Sequence, residues 1–88
     1  MSWACDLADD AKRDLRRLPK SVQKRVAQAL DRMQDDPFQG DVKPLHGEEW
    51  KGTFRRRIGD YRLIFLADHQ GKAVYVLRIL IRSGKTYR

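Results

Sequence analysis

The chain is poor in cysteine and histidine, and this scarcity narrows the kinds of site that it can build. Its single cysteine, Cys5, cannot form a disulfide within the chain, so a reducing compartment such as the cytoplasm is expected. The two histidines, His46 and His69, have no partner at a metal-ligand spacing and are expected to be surface residues. We therefore predict a function that uses no bound metal and no cofactor.

Long apolar runs and nucleotide-binding glycine motifs are missing as well. Asp6, Asp9 and Asp10 interrupt the region in which a signal peptide would need a continuous apolar run. No segment approaches the length needed to span a membrane. The sequence also has no phosphate-cradling glycine loop before a lysine and no evident nucleophilic triad. These absences predict a soluble, cytoplasmic protein.

Positive charge is what the chain has in excess, and it lies in the C-terminal part. Residues 1–50 carry 9 basic and 10 acidic side chains, whereas residues 51–88 carry 10 basic and 2 acidic ones, within a net charge of +7. Such a concentrated positive field attracts polyanions, so nucleic acid, an anionic membrane surface and an acidic protein are the candidate partners. The length of 88 residues predicts a single domain over residues 1–88.

The spacing of the apolar residues predicts two N-terminal helices. Apolar side chains recur on one helical face over residues 7–18 and again over residues 22–33. The first helix should begin at Asp9, and Pro19 should either end it or open the next helix. The second should stop before Pro37, because the proline ring disfavours helical geometry at the preceding residue.

A small β-sheet is predicted to accompany the helices. Residues 3–7 are a candidate edge strand, and the prolines and glycines of residues 37–49 predict a loop. Alternating apolar residues predict three further strands, near residues 50–58, 61–67 and 74–81. The predicted fold class is α+β, with the two helices packed on one face of a small, mainly antiparallel sheet.

A two-residue turn at Gly59-Asp60 would set the register of the first hairpin, with Ile58 opposite Tyr61 and Arg57 opposite Arg62. This register assigns each side chain of the hairpin to a face of the sheet. On the last strand the more apolar alternating set is assigned to the core. The predicted helix-facing set is Trp50, Phe54, Arg56, Ile58, Tyr61, Leu63, Phe65, Tyr75, Leu77, Ile79 and Ile81. The predicted opposite set is Lys51, Thr53, Arg55, Arg57, Arg62, Ile64, Leu66, Val74, Val76, Arg78, Leu80 and Arg82.

The opposite face thereby collects five arginines: Arg55, Arg57, Arg62, Arg78 and Arg82. Two like charges about 5 Å apart repel by roughly 0.8 kcal/mol even in water, so a fold gains nothing from this crowding unless an anion relieves it. Guanidinium groups suit phosphate, because they stay charged and present a planar fork of donors. A tyrosine close to them, Tyr87, can stack on a base or bind a ribose hydroxyl.

The order of these elements resembles the RelE/ParE superfamily of toxins from type II toxin–antitoxin pairs. The resemblance lies in a helix that ends in DDP, a loop with LHG, the hairpin GTFRRRIGDYRLIF at residues 52–65, the strand VYVLRIL at residues 74–80, and a final arginine and tyrosine. It covers essentially the whole chain. It implies a sheet flanked by two N-terminal helices and, for the RelE branch, a metal-independent ribonuclease that cuts messenger RNA in the ribosomal A site.

The resemblance also implies site residues. Arg55 lies where the RelE branch has a basic residue on its second strand, and Arg62 matches the arginine of its Y-R-L element. Arg82 matches the arginine that follows the last strand, and Tyr87 matches the tyrosine near the C-terminus. These four are the predicted catalytic residues. The predicted RNA-binding residues are Lys51, Arg57, Arg78, Lys85 and Arg88.

The partners implied by the resemblance are the ribosome with its messenger RNA and a cognate acidic, partly disordered antitoxin, and no membrane partner is expected. This antitoxin would cover Arg62 and Arg82, and the toxin would contact operator DNA only through their complex. The chain departs from some ribonuclease members at Thr53, where they have a lysine, and at Leu80-Ile81, where they have Gly-Lys or Gly-His. Two alternatives stay open: a ParE-like inhibitor of DNA gyrase without nuclease activity, and a non-catalytic RNA-binding module.

Overall fold

The computed structural model describes residues 2–81, which form two helices and one five-stranded sheet. In chain order the elements are β1 (Ala4–Leu7), α1 (Asp9–Arg17), α2 (Lys20–Asp35), β2 (Val42–Pro44), β3 (Thr53–Ile58), β4 (Tyr61–Asp68) and β5 (Ala73–Ile81). The strands lie in the order β1-β5-β4-β3-β2. β1 runs parallel to β5, and the other neighbouring pairs are antiparallel. This confirms the predicted α+β fold and the predicted edge strand at the N-terminus.

Local sequence signals account for both helices. α1 has Asp9 and Asp10 in its first turn and Arg16 and Arg17 in its last, which complements the helix dipole at each end. α2 starts directly after Pro19 and ends at Asp35. Asp36 is already extended, as expected for a residue that precedes a proline. The predicted ends of both helices are confirmed. Neither helix is long and apolar enough to cross a membrane.

The helices pack on one face of the sheet and enclose a single cluster of buried apolar side chains. Ala11 comes from α1, and Val26, Ala29 and Met33 come from α2. Because Ala11 is small and has no exposed surface, α1 can lie close to the strands. The strands contribute the remaining buried members, which are Ile58, Leu63, Phe65, Val74, Val76 and Ile79.

β5 contains a bulge that shifts the alternation of its side chains. Ile64 of β4 pairs with Arg78, but the next residue, Phe65, pairs with Val76. Leu77 is therefore an extra residue between two paired positions, which is the defining feature of a β-bulge. Arg78, Ile79 and Leu80 keep the predicted alternation, whereas Val74, Tyr75 and Val76 point to the opposite faces from those predicted.

The bulge makes part of the predicted face assignment wrong. Val74 and Val76 lie in the helix-facing core, with 1% and 0% of their surface exposed, although they were expected on the opposite face. Tyr75 was expected in the core and is 46% exposed on the other face. Ile81 was also expected in the core, and it is 55% exposed because it lies at the end of the strand. Ile79 is buried as predicted.

The start of β3 differs from the prediction for a local reason. Trp50 was expected on the helix-facing side of a strand beginning near residue 50, but it belongs to a 3₁₀ turn (Glu48–Trp50) and is 40% exposed. Gly47 and Gly52 on either side of this turn have φ angles of 107° and 79°, so the chain turns there and the strand begins only at Thr53. Phe38 fills this end of the core instead, with its ring centroid 5.2 Å from that of Phe54.

The predicted loop of residues 37–49 contains β2, which pairs with β3 at the edge of the sheet. Pro44 lies opposite Phe54 in this strand. A proline can occupy an edge strand because the outer side of the strand needs no N–H donor. The prediction of a loop was therefore wrong at Pro44, which belongs to an edge strand.

Candidate nucleic-acid interface

The strand register places four arginines on the sheet face that points away from the helices. Arg57 of β3 lies directly opposite Arg62 of β4, as predicted from the two-residue turn. Arg55 lies opposite Ile64, and Ile64 in turn lies opposite Arg78 of β5. We call these four residues the sheet-face arginines. Like charges on directly opposed residues destabilise a sheet, so this arrangement costs stability unless anionic groups compensate it.

Carboxylates compensate two of the sheet-face arginines, one near each side of the sheet. Arg55 Nη1 donates to Asp41 Oδ1 at 3.2 Å, and Asp41 lies just before β2. Arg78 donates from Nε to Asp14 Oδ2 at 2.7 Å and from Nη2 to Asp14 Oδ1 at 3.2 Å, which forms a two-pronged pair. Both arginines are thereby held at defined positions toward opposite sides of the sheet.

Asp14 also anchors α1 to the sheet. Its Oδ2 accepts a hydrogen bond from the backbone N–H of Ile79 at 2.9 Å, in addition to the bonds from Arg78. The bond from Arg78 lowers the pKa of the Asp14 carboxyl; burial opposes this effect, and the Ile79 amide adds to the lowering. The same pair raises the pKa of Arg78. Asp14 therefore stays ionised and binds Arg78 to the end of the sheet covered by α1.

The other two sheet-face arginines have no carboxylate partner among residues 2–81. Arg62 has a buried Nε atom with no hydrogen-bond acceptor in the described part of the chain. Arg57 is exposed, and its Nε reaches only the carbonyl oxygen of Gly59, at 3.5 Å. An anion bound across these two adjacent guanidinium groups would relieve their repulsion and accept their free donors.

Apolar side chains lie beside the arginines on the same face. Ile64 is 6% exposed, although it does not belong to the core cluster under the helices. Leu66, Tyr75 and Leu80 are exposed, and Leu66 pairs with Tyr75 across β4 and β5. Leu80 lies opposite Arg62. This face thus combines positive charge with exposed apolar surface, which is typical of a surface that binds a partner.

The structure brings together only part of the predicted site. Arg55 and Arg62 lie on neighbouring strands of one face. Arg57 is on the same strand as Arg55 and pairs directly with Arg62. Arg78 shares this face, but its guanidinium is bound to Asp14. Lys51 is exposed in the turn before β3, at the other end of the strand from Arg57. The remaining predicted residues, Arg82, Lys85, Tyr87 and Arg88, lie outside the described residues.

A second group of arginines was not included in the predicted site. A cleft of about 170 Å³ lies between α2 and the end of β3 and is lined by four arginines: Arg25, Arg32, Arg56 and Arg57. We call it the α2–β3 cleft. Two sequence signals mark it, namely Arg56 within the otherwise apolar helix-facing set and two arginines seven residues apart on one helix.

Comparison with known proteins identifies the class to which this fold and surface belong. The family described as "ParE toxin of type II toxin-antitoxin system, parDE" matches residues 6–85. The chain belongs to the RelE/ParE superfamily of toxins from type II toxin–antitoxin systems, as the sequence resemblance predicted.

Particular relatives agree with this membership. Toxin RelG of Mycobacterium tuberculosis is 32% identical over 80 residues, covering 90% of each chain. The toxin–antitoxin complex RelBE2 of the same species contains a chain with a TM-score of 0.82 and 31% identity, covering 93% of this chain and all of that one. The archaeal RelE–RelB complex of Pyrococcus horikoshii contains one with a TM-score of 0.82 and 26% identity, covering 94% and 98% of the two chains.

Proposed function

We propose that this toxin is a ribosome-dependent endoribonuclease that cuts messenger RNA in the A site and needs no metal ion. The observation that carries the proposal is the adjacent pair Arg57 and Arg62, which lacks a carboxylate partner among the described residues, with Arg55 beside it on the same face. The oxygens of a phosphodiester match such forked donors in geometry and charge. The ribosome as target places this activity in the cytoplasm.

The chemistry would be attack of the ribose 2′-oxygen on the adjacent phosphorus atom. The new bond closes a 2′,3′-cyclic phosphate while the bond to the 5′-oxygen breaks. A general base takes the proton of the 2′-hydroxyl, and the departing 5′-oxygen receives a proton from a general acid or from water. Arg62 and Arg55 would stabilise the charge that develops on the phosphoryl oxygens, a contribution of about 3–4 kcal/mol for a preorganised donor.

Two further roles rest on the resemblance to the family, because their residues lie outside the described part of the chain. Arg82 would lie at the leaving oxygen. Tyr87 would orient the 2′-hydroxyl or accept its proton. Since an unperturbed tyrosine has a pKa of about 10, acceptance of the proton would require nearby arginines to lower that pKa.

In this mechanism Arg55 must bind the phosphate while it stays paired with Asp41. Arg55 can offer its remaining guanidinium donors to a phosphate while it keeps the single bond from Nη1 to Asp41. Asp41 then acts as a positioning residue that holds the guanidinium toward the β2 edge of the face. Arg62 has no such carboxylate among residues 2–81 and is the better candidate for the principal phosphate contact.

The antitoxin partner follows from the same face. The relatives from M. tuberculosis and P. horikoshii are toxin–antitoxin complexes. We propose that an acidic antitoxin segment covers Arg62 and Arg82 and places its apolar side chains on Leu66, Tyr75 and Leu80, which are exposed beside the arginines. In this arrangement the antitoxin blocks the phosphate site, and the complex contacts operator DNA through the antitoxin.

The test is incubation of the purified toxin with ribosomes that carry a defined messenger. We expect cleavage in the A site, and we expect Arg62→Ala to slow it about 100-fold or more, since loss of one preorganised donor costs about 10²–10³ in rate. Arg16→Ala is the matched control, because Arg16 is exposed in α1 and belongs to neither arginine group. Arg82→Ala and Tyr87→Phe should also abolish cleavage. An intact messenger with the unaltered toxin would reject the proposal.

A ParE-like gyrase inhibitor is the second candidate, and the match to a family described as ParE toxin favours it. The same toxin preparation, added to gyrase with supercoiled DNA, distinguishes the two. Stalled gyrase together with intact messenger would select the inhibitor. Binding to ribosomes without cleavage and without an effect on gyrase would select the non-catalytic RNA-binding module.

A further inference from the structure

The α2–β3 cleft concentrates positive charge without a compensating carboxylate in its described lining. Arg25 and Arg32 of α2 line it on one side, and Arg56 and Arg57 of β3 line it on the other. None of the described residues that line the cleft is acidic. Four arginines around one small cavity concentrate like charge, and a bound anion would offset their repulsion.

We propose that the α2–β3 cleft binds one phosphate group of a nucleic-acid backbone, as a second phosphate site separate from the one proposed at Arg62. This proposal extends the proposed function but does not require cleavage, since the cleft would take part in binding alone. It adds Arg25, Arg32 and Arg56 to the surface that contacts nucleic acid.

The environment of Arg56 supports an anion in the cleft. Its side chain is partly buried, its Nη1 donates to the carbonyl oxygen of Gln39 at 2.5 Å, and its Nε is buried without an acceptor among the described residues. Burial lowers the pKa of Arg56, the positive charge of Arg32 lowers it further, and Asp41 partly offsets both. A bound anion would raise the pKa of Arg56, against the effects of burial and Arg32, because it favours the charged guanidinium.

The size of the cleft limits what can enter it. Pockets that enclose drug-sized ligands have volumes of about 300–1,000 Å³, so a cavity of about 170 Å³ holds a single oxyanion group rather than a base with its sugar. Guanidinium forks match the oxygens of a phosphate in geometry as well as in charge. The chemistry of the lining therefore selects a phosphate whose nucleoside stays outside the cleft.

The position of Arg57 favours a nucleic-acid chain over an isolated phosphate. Arg57 lines the cleft and also lies directly opposite Arg62 on the sheet face. The two proposed phosphate sites therefore share this end of the hairpin, one on each side of the sheet, and Arg57 borders both. A backbone that passes around the end of the hairpin can place one phosphate in each site, whereas a lone phosphate ion gains from only one.

The turn between β3 and β4 allows the arginines to approach closely. Gly59 has a φ of 59°, and a Cβ atom at this position would lie 2.7 Å from Nη1 of Arg25. Any larger residue would thus displace the Arg25 guanidinium from the cleft, in addition to the backbone strain. The glycine of the turn therefore contributes to the shape of the proposed site.

The first experiment uses inorganic phosphate as the probe. NMR titration of the full chain should shift the Gly59 amide and the Arg56 Nε–H signals in the unaltered protein. The double variant Arg25→Gln/Arg32→Gln should bind phosphate about ten-fold more weakly or worse, because it removes two charged donors from the lining of the cleft. The control Lys12→Gln/Arg16→Gln removes the same charge from exposed positions on α1 and should bind phosphate like the unaltered protein.

A stability measurement separates loss of the site from loss of the fold. Without phosphate, Arg25→Gln/Arg32→Gln should unfold at the same temperature as the unaltered protein or at a higher one, because the repulsion within the cleft is reduced. Phosphate should then stabilise the unaltered protein and the α1 control more than this variant. Equal phosphate binding by all three proteins would overturn the proposal.

The second experiment tests the nucleic-acid backbone. Binding of a single-stranded 2′-O-methyl RNA, which cannot undergo attack by the 2′-oxygen, is measured against salt concentration. Loss of one phosphate contact should reduce the slope of log K against log salt by about 0.7 in Arg25→Gln/Arg32→Gln and leave it unchanged in the control. An unchanged slope in the cleft variant, or an equal loss in the control, would overturn the proposal. Failure of the toxin to cut messenger RNA would not affect either readout.

Discussion

Asp14 offers a direct test of how α1 is attached to the sheet. Its carboxylate accepts from the backbone N–H of Ile79 and from the guanidinium of Arg78, and only 13% of its side chain is exposed. Asp14→Ala removes both acceptor interactions. Asp14→Asn keeps a carbonyl oxygen that can still accept from the Ile79 N–H, but it removes the negative charge and replaces the oxygen that accepts from Nη2 of Arg78 with an NH₂ donor. The two variants therefore separate the backbone bond from the ion pair.

The two contributions differ in size. A partly buried N–H that loses its acceptor costs about 1–3 kcal/mol. The ion pair contributes about 0.2–1 kcal/mol, because 47% of the Arg78 side chain is exposed and solvent screens the pair. Alanine regains roughly 0.5 kcal/mol through its helix propensity. Asp14→Ala should therefore cost about 2 kcal/mol, and Asp14→Asn about 0.5–1 kcal/mol.

Thermal and urea unfolding would measure both costs. For a chain of this size, 2 kcal/mol corresponds to a fall in Tm of about 8–16 °C. Asp31→Ala serves as the control for helix propensity, since Asp31 is exposed on α2 and should change stability by less than about 0.5 kcal/mol. An equal loss of stability in Asp14→Asn and Asp14→Ala would show that the ion pair, and not the backbone bond, anchors α1, and would refute the reasoning.

Three further outcomes are expected from the structure. Arg78 holds the folded-state pKa of Asp14 below its ordinary value of 3.8. The resulting stabilisation should therefore be complete above about pH 5 and lost as the pH falls through the lowered pKa. Between these pH values the free energy of unfolding should fall less in Asp14→Asn than in the unaltered protein. Gly59→Ala should cost at least about 1–2 kcal/mol in urea unfolding, because the φ of 59° is unfavourable for alanine and the new Cβ meets Arg25, whereas Gly71→Ala lacks the backbone strain. Met33→Ala should cost about 2–5 kcal/mol, because its side chain is fully buried between α2 and the sheet, and a loss below 1 kcal/mol would contradict this packing.

The predicted strand register was most accurate where a single turn determines the geometry. The two-residue turn Gly59-Asp60 sets the register of the first hairpin, so the pairing of Arg57 with Arg62 could be predicted from the turn alone. The prediction could not include the carboxylates of the two ion pairs. Asp41 is 14 residues from Arg55, and Asp14 is 64 residues from Arg78, so only the folded chain brings these groups together.

The α2–β3 cleft also depends on residues that are distant in the sequence. Arg56 stood out as a charge within the helix-facing set, but the sequence has no signal for what lies opposite it. Arg25 and Arg32 approach it because α2 crosses the end of β3 at a particular position. The crossing of a helix over a strand depends on the packing of the whole core, so a local pattern does not predict it.

The sequence by itself determined the two helices, the hairpin turn and the basic character of the C-terminal part, because apolar spacing, proline positions and turn residues act over a few neighbouring positions. Tertiary structure decided the bulge at Leu77, the edge strand β2 and the partners of the arginines. Each of these depends on contacts between residues distant in the chain. An extra residue in β5 is tolerated because it lets Val74 and Val76 reach the core while Arg78 stays on the opposite face.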